Sequence, residues 1–123
     1  MKSIARSLTA MHSDSPEVIS SRFIFASGRV AAAPNDAYLV DDIAIQARQA
    51  FSNITTTLAA AGAQLSHVEM VTLYIKDLSD LGAVDKIYCE QFGRHRAARS
   101  TVKVPNLPGG SRVEIEVLAL LPL

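Results

Sequence analysis

"RHRAARSTVKVPNLPGGSRVEIEVLALL" fills Arg94–Leu121, and the way its two strand-like halves connect decides the fold. The first half, near Ser100–Val104, is β-branched and opens after a cation, Arg99. The second, Arg112–Leu120, alternates. Val113, Ile115 and Val117 share one strand face, and Glu114 and Glu116 share the other. Between them runs "PNLPGGSR", an eight-residue loop rich in Pro and Gly. A loop of that length permits a hairpin, and it equally permits a crossing over the sheet. Spacing alone leaves both open.

The chain upstream supplies the rest of the pattern. "RFIFAS" (Arg22–Ser27) is aromatic and β-branched and predicts a strand that Gly28 ends. Residues 1–21 carry little pattern, "HSDSPE" reads as a turn, and "AAAPND" is a connection broken by Pro34. Asp41 or Asp42 can cap a helix in which Ile43, Ala47, Phe51, Ile54, Leu58 and Ala61 line one face, with Gly62 just past its end. Val68–Lys76 predicts a strand with two largely apolar faces: Val71, Leu73 and Ile75 on one, Met70, Thr72 and Tyr74 on the other. Ser79 can cap a second helix with Leu81, Val84, Tyr88 and Phe92 inward and Gly93 closing it. The order is β-α-β-α-β-β, an α+β sandwich with a mixed sheet and two helices on one face. Two helices cannot cover both faces of that sheet. The apolar residues on its far side therefore predict a second copy of the chain, a homo-oligomer.

Composition narrows the function. The 123 residues suit one domain spanning 1–123. Hydrophobic residues at 49% and charged residues at 20% predict a packed core. Twelve basic and twelve acidic side chains cancel and are spread along the chain, which argues against nucleic-acid or membrane binding by bulk charge. No apolar run approaches the roughly 20 residues of a membrane span, and no h-region of a signal peptide is visible. The single cysteine, Cys89, forms no internal disulfide, and a reducing cytoplasm is the simplest setting.

Familiar catalytic devices are missing. There is no Walker loop, G-x-G-x-x-G, C-x-x-C or H-E-x-x-H. His12, His67 and His95 lack ligand spacing, so no metal is expected, and His67 and His95 read as surface residues. Cys89 reads as a small packing residue of the second helix. "HSDS" holds triad residue types too close together to form a triad. Arg99 can offer a planar fork to an organic acid, although chemistry alone favours a solvated cation. Glu114 and Glu116 lie about 7 Å apart on one face, where close carboxylates tend to raise one pKa. They suit either a polar outer face or a cleft in which one carboxylate steers water or moves a proton.

Taken together these stretches resemble the YjgF/RidA family of reactive-intermediate (imine) deaminases. "FASGRV" is similar to that family's S-G-Q motif, "IAIQARQAFSNITTTLAAAGAQLSHV" to its first helix, and "VTLYIKDLSDLGAVDKIYCEQFG" to its middle strand and second helix. "ARSTVKVPNLPGGSRVEIEVLAL" resembles its A-R-S and V-E-I-E-A signature. The resemblance implies a chorismate-mutase-like fold in which the last strand inserts between the first and middle strands. It also implies a homotrimer with ligand sites in clefts between subunits. The carboxylate-binding arginine falls on Arg99, the water-positioning glutamate on Glu114, a glycine contributing its backbone on Gly28, and a cleft-wall tyrosine on Tyr88. The implied activity is a cofactor-independent hydrolase that converts a small enamine or imine acid, such as 2-aminoacrylate, to a 2-keto acid and ammonia. A pathway-specific deaminase of a dicarboxylate such as 2-aminomuconate, and a non-catalytic protein that binds keto acids or acts as a chaperone, are the alternatives.

The chain also departs from that pattern around the implied substrate. Glu17 follows the proline where a tyrosine is frequent, Thr101 stands for a cysteine, Arg29 for a glutamine, and Asp85 for an asparagine. Arg29 and Thr101 are expected to line the substrate. Two readings of Arg29 stand level: it meets a second carboxylate, or it faces solvent or an acidic residue across the interface.

Overall fold

The computed structural model describes residues 17–30 and 40–122, and for 18–20 and 27–30 the backbone alone. Seven principal elements run in the order β1 (Glu17–Ser20), β2 (Phe23–Val30), α1 (Ile43–Ala60), β3 (Val68–Ile75), α2 (Leu81–Phe92), β4 (Ala98–Lys103) and β5 (Val113–Leu120). The sheet has five strands in the order β1-β2-β5-β3-β4. β5 is antiparallel to both β2 and β3, and β4 is parallel to β3. The loop after β4 therefore crosses the sheet, and the hairpin alternative is excluded. Because β5 opposes β2 and β3, those two run the same way. Each helix thus joins two strands that run the same way, and α2 makes the crossover that the parallel pairing of β3 with β4 requires.

Two strand expectations need correction. β1 was not expected. Glu17–Ser20 is too short to show a pattern, and pairing with Phe23–Ala26 across a tight turn specifies it. Gly28 does not end β2, which continues to Val30. Ala26 faces Val117 and Arg29 faces Ile115, so Ser27 and Gly28 form a bulge opposite Glu116.

The core lies between the sheet and the helices. Ile24 and Ala26 of β2, Val71, Leu73 and Ile75 of β3, and Val113, Ile115, Val117 and Ala119 of β5 are buried on one sheet face. From α1, Ala47, Ala50, Phe51, Ile54 and Leu58 pack onto them; Val84, Ile87 and Phe92 come from α2. Ile43, Ala61, Leu81 and Tyr88 are partly buried at its margin. Asp42 caps α1, its carboxylate accepting from the Ile45 N–H at 3.0 Å. Gly62, at φ 82°, ends it: the Gly62 N–H donates to Ala59 O and the Ala63 N–H to Leu58 O, satisfying carbonyls the helix leaves free.

The start of α2 differs from expectation. Ser79 is not its cap. Asp77 accepts from the Ser79 N–H at 2.9 Å across a short 3₁₀ turn, Leu78–Asp80, and this bond holds the Asp77 carboxyl below its usual range. Asp80 is the N-cap residue, yet its carboxylate is committed elsewhere. Arg112, at the foot of β5, donates from Nε to Asp80 Oδ2 at 3.0 Å and from Nη2 to Oδ1 at 2.5 Å. Its Nη1 reaches Asp41 at 3.1 Å, and its backbone N–H donates to Gln46 Oε1 at 2.8 Å. One arginine so fastens β5 to the heads of both helices. Asp80 is only 6% exposed, so losing its partner strands a buried carboxylate. Arg112→Met should cost about 3 kcal/mol in urea unfolding, and Arg112→Met with Asp80→Leu should recover most of it.

The sheet face away from the helices is open in the single chain. Phe23 and Phe25 are 45% and 46% exposed there. Met70, Thr72, Tyr74, Glu114, Glu116 and Leu118 are half-buried. Among the described residues no helix is long and apolar enough to cross a membrane.

Candidate functional site between two sheet faces

β4 is an edge strand, and its register fixes where Arg99 lies. Arg99 pairs with Val71 and Thr101 with Leu73, so both stand in the rows that face the helices. They meet the flank of α2, where Asp85, Tyr88, Cys89 and Phe92 recur at helical spacing. Arg99, Arg96 and these four α2 residues line a cleft of about 350 Å³. Arg99 donates from Nε to Thr101 Oγ1 at 3.1 Å, and its Nη2 meets Asp85 Oδ1 at 2.5 Å. Its guanidinium carbon sits 4.7 Å from the centre of the Tyr88 ring, a cation–π contact. Tyr88 in turn packs against Phe92 at 4.6 Å and edge-on to buried Phe51 at 5.9 Å. Burial pushes the Tyr88 phenol up, against the pull of Arg99. The core thus holds the ring, and the ring and two oxygens hold the cation. Arg99 is not a loose surface charge.

Glu114 lies on the other face. In β5 it is flanked by Val30 of β2 and Tyr74 of β3, in the row opposite to that of Ile115 and Leu73. Burial, and then the neighbouring Glu116 charge, raise its carboxyl above the usual range. Tyr74 donates from Oη to Glu116 Oε1 at 3.4 Å, and burial followed by the Glu116 charge pushes its phenol up. The tyrosine therefore engages Glu116 and not Glu114 among the described residues. Gly28 sits close in the sheet, in the bulge whose backbone groups leave the regular ladder. Arg29 pairs through its backbone with Ile115, and its side chain lies outside the described residues.

The expected site residues so fall into two sets. Arg99, Thr101 and Tyr88 meet on the helix side, while Glu114 and the Gly28 bulge belong to the open side. One chain does not bring the two sets together.

Other expectations change. Cys89 is exposed in the cleft wall and does not pack between helices: the neighbouring Tyr88 takes the inward position. His95 is half-buried, its Nε2 lying 2.6 Å from Val68 O and its ring stacked 6.1 Å from Phe92. It ties the turn after α2 to the start of β3. His67 is also half-buried; its Nδ1 accepts from the Gln64 N–H at 3.0 Å. Among the described residues no His, Cys, Asp and Glu group is placed to hold a metal. His12, "HSDS" and Pro34 lie outside the described residues. The ion pair of Arg99 with Asp85 was not anticipated, although Asp85 and Tyr88 stand three apart on one helix face and signalled a shared neighbour.

Comparisons with known proteins agree with the fold and the sequence signature. A family model described as Endoribonuclease L-PSP matches residues 4–121. A RutC family protein of Pyrococcus horikoshii is 39% identical over 98 residues, covering 79% of this chain and 78% of its own. The 2-iminobutanoate/2-iminopropanoate deaminase of Rattus norvegicus is 34% identical over 119 residues, covering 96% of this chain and 87% of its own. The crystal structure of Escherichia coli TdcF with bound serine superposes with a TM-score of 0.84 at 28% identity, covering 89% of this chain and 88% of that one. With this family model, deaminase relatives and a shared α+β architecture, the chain belongs to the YjgF/RidA family.

Proposed function

We propose that the protein is a cofactor-independent imine deaminase acting on a small 2-imino acid of the 2-aminoacrylate type. The observation that carries this reading is the Arg99 guanidinium, held at a cleft by Thr101, Asp85 and Tyr88, with no partner on its outer edge among the described residues. Such a fork suits the carboxylate of an organic acid and fixes the carbon next to it. Relatives named as imine deaminases, and the serine in Escherichia coli TdcF, support a small amino-acid-like ligand.

Glu114 supplies the second function. A carboxylate with a raised pKa is a better base near neutral pH than an ordinary one. It orients a water, whose oxygen bonds to the imine carbon while the C=N π pair moves to nitrogen. The water's proton passes to Glu114 and then to that nitrogen. Glu114 then carries the hydroxyl proton to the same nitrogen, the C–N bond breaks with its electron pair leaving on ammonia, and the keto group forms. Water is consumed; a 2-keto acid and ammonia result, with no change of oxidation state.

Because Arg99 and Glu114 occupy opposite sheet faces, the complete site needs two chains. The open face around Phe23, Phe25, Met70 and Leu118 is the natural contact surface, and a closed homotrimer places each helix-side cleft against a neighbour's open face. The test generates 2-aminoacrylate in situ and follows keto-acid release. Release well above the spontaneous rate is expected, and a rate equal to the spontaneous one overturns the reading.

A further inference from the structure

Arg99 has two edges on which to receive a carboxylate. On its Nε and Nη2 edge, Nε donates to Thr101 Oγ1 at 3.1 Å and Nη2 forms an ion pair with Asp85 Oδ1 at 2.5 Å, an oxygen that is buried and accepts no aligned hydrogen bond, and Tyr88 covers one face of the plane. Nη1 and the outer N–H of Nη2 have no partner among the described residues. A ligand carboxylate seated there puts a second anion on one guanidinium, next to the Asp85 carboxylate. Like charges at that range repel. Arg96, the other cation of the cleft, is turned to its own backbone: Nη1 donates to Gly93 O at 2.9 Å and to His95 O at 3.2 Å. His95 is engaged with Val68 O. The charge balance therefore favours a ligand that carries positive charge beside its own carboxylate.

The substrate proposed above has a form that does. A protonated 2-imino acid, R–C(=NH₂⁺)–COO⁻, is a zwitterion; its product, R–CO–COO⁻, is a plain anion. Resting on the deaminase reading, we propose that Asp85 is the specificity-determining residue of the cleft, receiving the iminium N–H while the ligand's carboxylate holds the free edge of Arg99. The aspartate then favours the more electrophilic protonation state of the substrate. It also disfavours retention of the keto acid, which brings no cation to offset it. An asparagine at this position would lack the charge and so the discrimination.

Calorimetry on the full chain with 2-aminobutanoate and 2-oxobutanoate tests this. The two ligands share carbon skeleton and carboxylate and differ at C2, ammonium against neutral carbonyl. The wild type should prefer 2-aminobutanoate by about tenfold or more, and Asp85→Asn should cut that ratio about tenfold by weakening the amino acid and tightening the keto acid. The Asp85 side chain is 44% exposed, so the variant keeps its fold, which a thermal melt checks. An unchanged ratio, or equal weakening of both ligands, reduces Asp85 to a support for Arg99 and overturns the proposal while leaving the anchor intact. Wild type that binds neither ligand, or Arg99→Ala that binds both normally, overturns the anchor reading and the proposal with it.

Discussion

Replacing Arg99 with alanine lowers kcat/KM for a 2-imino acid by about a thousandfold, the effect of losing a charge-assisted two-point contact that both binds and orients. Arg99→Lys keeps the charge but not the planar fork, and falls between, about 30-fold below wild type. The loss is confined to function. Arg99 stands on an edge strand, and the Asp85 it leaves behind is 44% exposed and can be solvated by water. Thermal melts of both variants should stay within a few degrees of wild type. Loss of activity accompanied by a collapsed melt would mean that Arg99 is a structural clamp like Arg112, not an anchor.

Replacing Glu114 with glutamine lowers kcat about a hundredfold and leaves the affinity for a simple keto acid nearly unchanged, because the amide still orients water but takes no proton. The wild-type rate should fall on acidification as the raised Glu114 carboxyl protonates, and Glu114→Gln should lack that limb. Stability moves the opposite way. A carboxyl whose folded pKa lies above its unfolded value binds more protons in the native state through that window. Stability is therefore lost as pH rises from the unfolded to the folded pKa, and the penalty persists above it. Glu114→Gln should melt higher than wild type at neutral pH, with the gain vanishing below the ordinary glutamate range. A functional carboxylate that costs stability is the pattern of an active-site group. Equal melts at all pH values, with kcat unaffected, would place Glu114 on an ordinary polar face.

The helices, β3 and the pairing rows of β5 were legible in the sequence because hydrophobic spacing reports burial directly. Phe51, Ile54 and Leu58 lie where the three-and-four spacing puts them, and Gly62 ends the helix as a positive-φ residue should. The insertion of β5 between β2 and β3 was not legible from the loop, since eight residues permit either connection; the resemblance supplied it. Partners distant in the chain were the least visible. Ser79 looked like the cap of α2, and nothing local announced that Arg112 would claim the Asp80 beside it. The exposure of Cys89 also escaped, because its neighbour Tyr88 takes the inward position. At the candidate site, Arg99 touches both Thr101 and Tyr88. That Glu114 lies on the opposite face follows from strand alternation and β-ladder register, which the sequence holds only once the strand order is known.

The most direct test mixes two inactive variants, Arg99→Ala and Glu114→Gln, unfolded together and refolded into mixed oligomers. If each site takes Arg99 from one protomer and Glu114 from the next, random mixing rebuilds about a quarter of the sites, and activity returns to about a quarter of wild type. Activity no higher than that of the two variants refolded separately would contradict the account, because the two groups would then not meet across a subunit boundary.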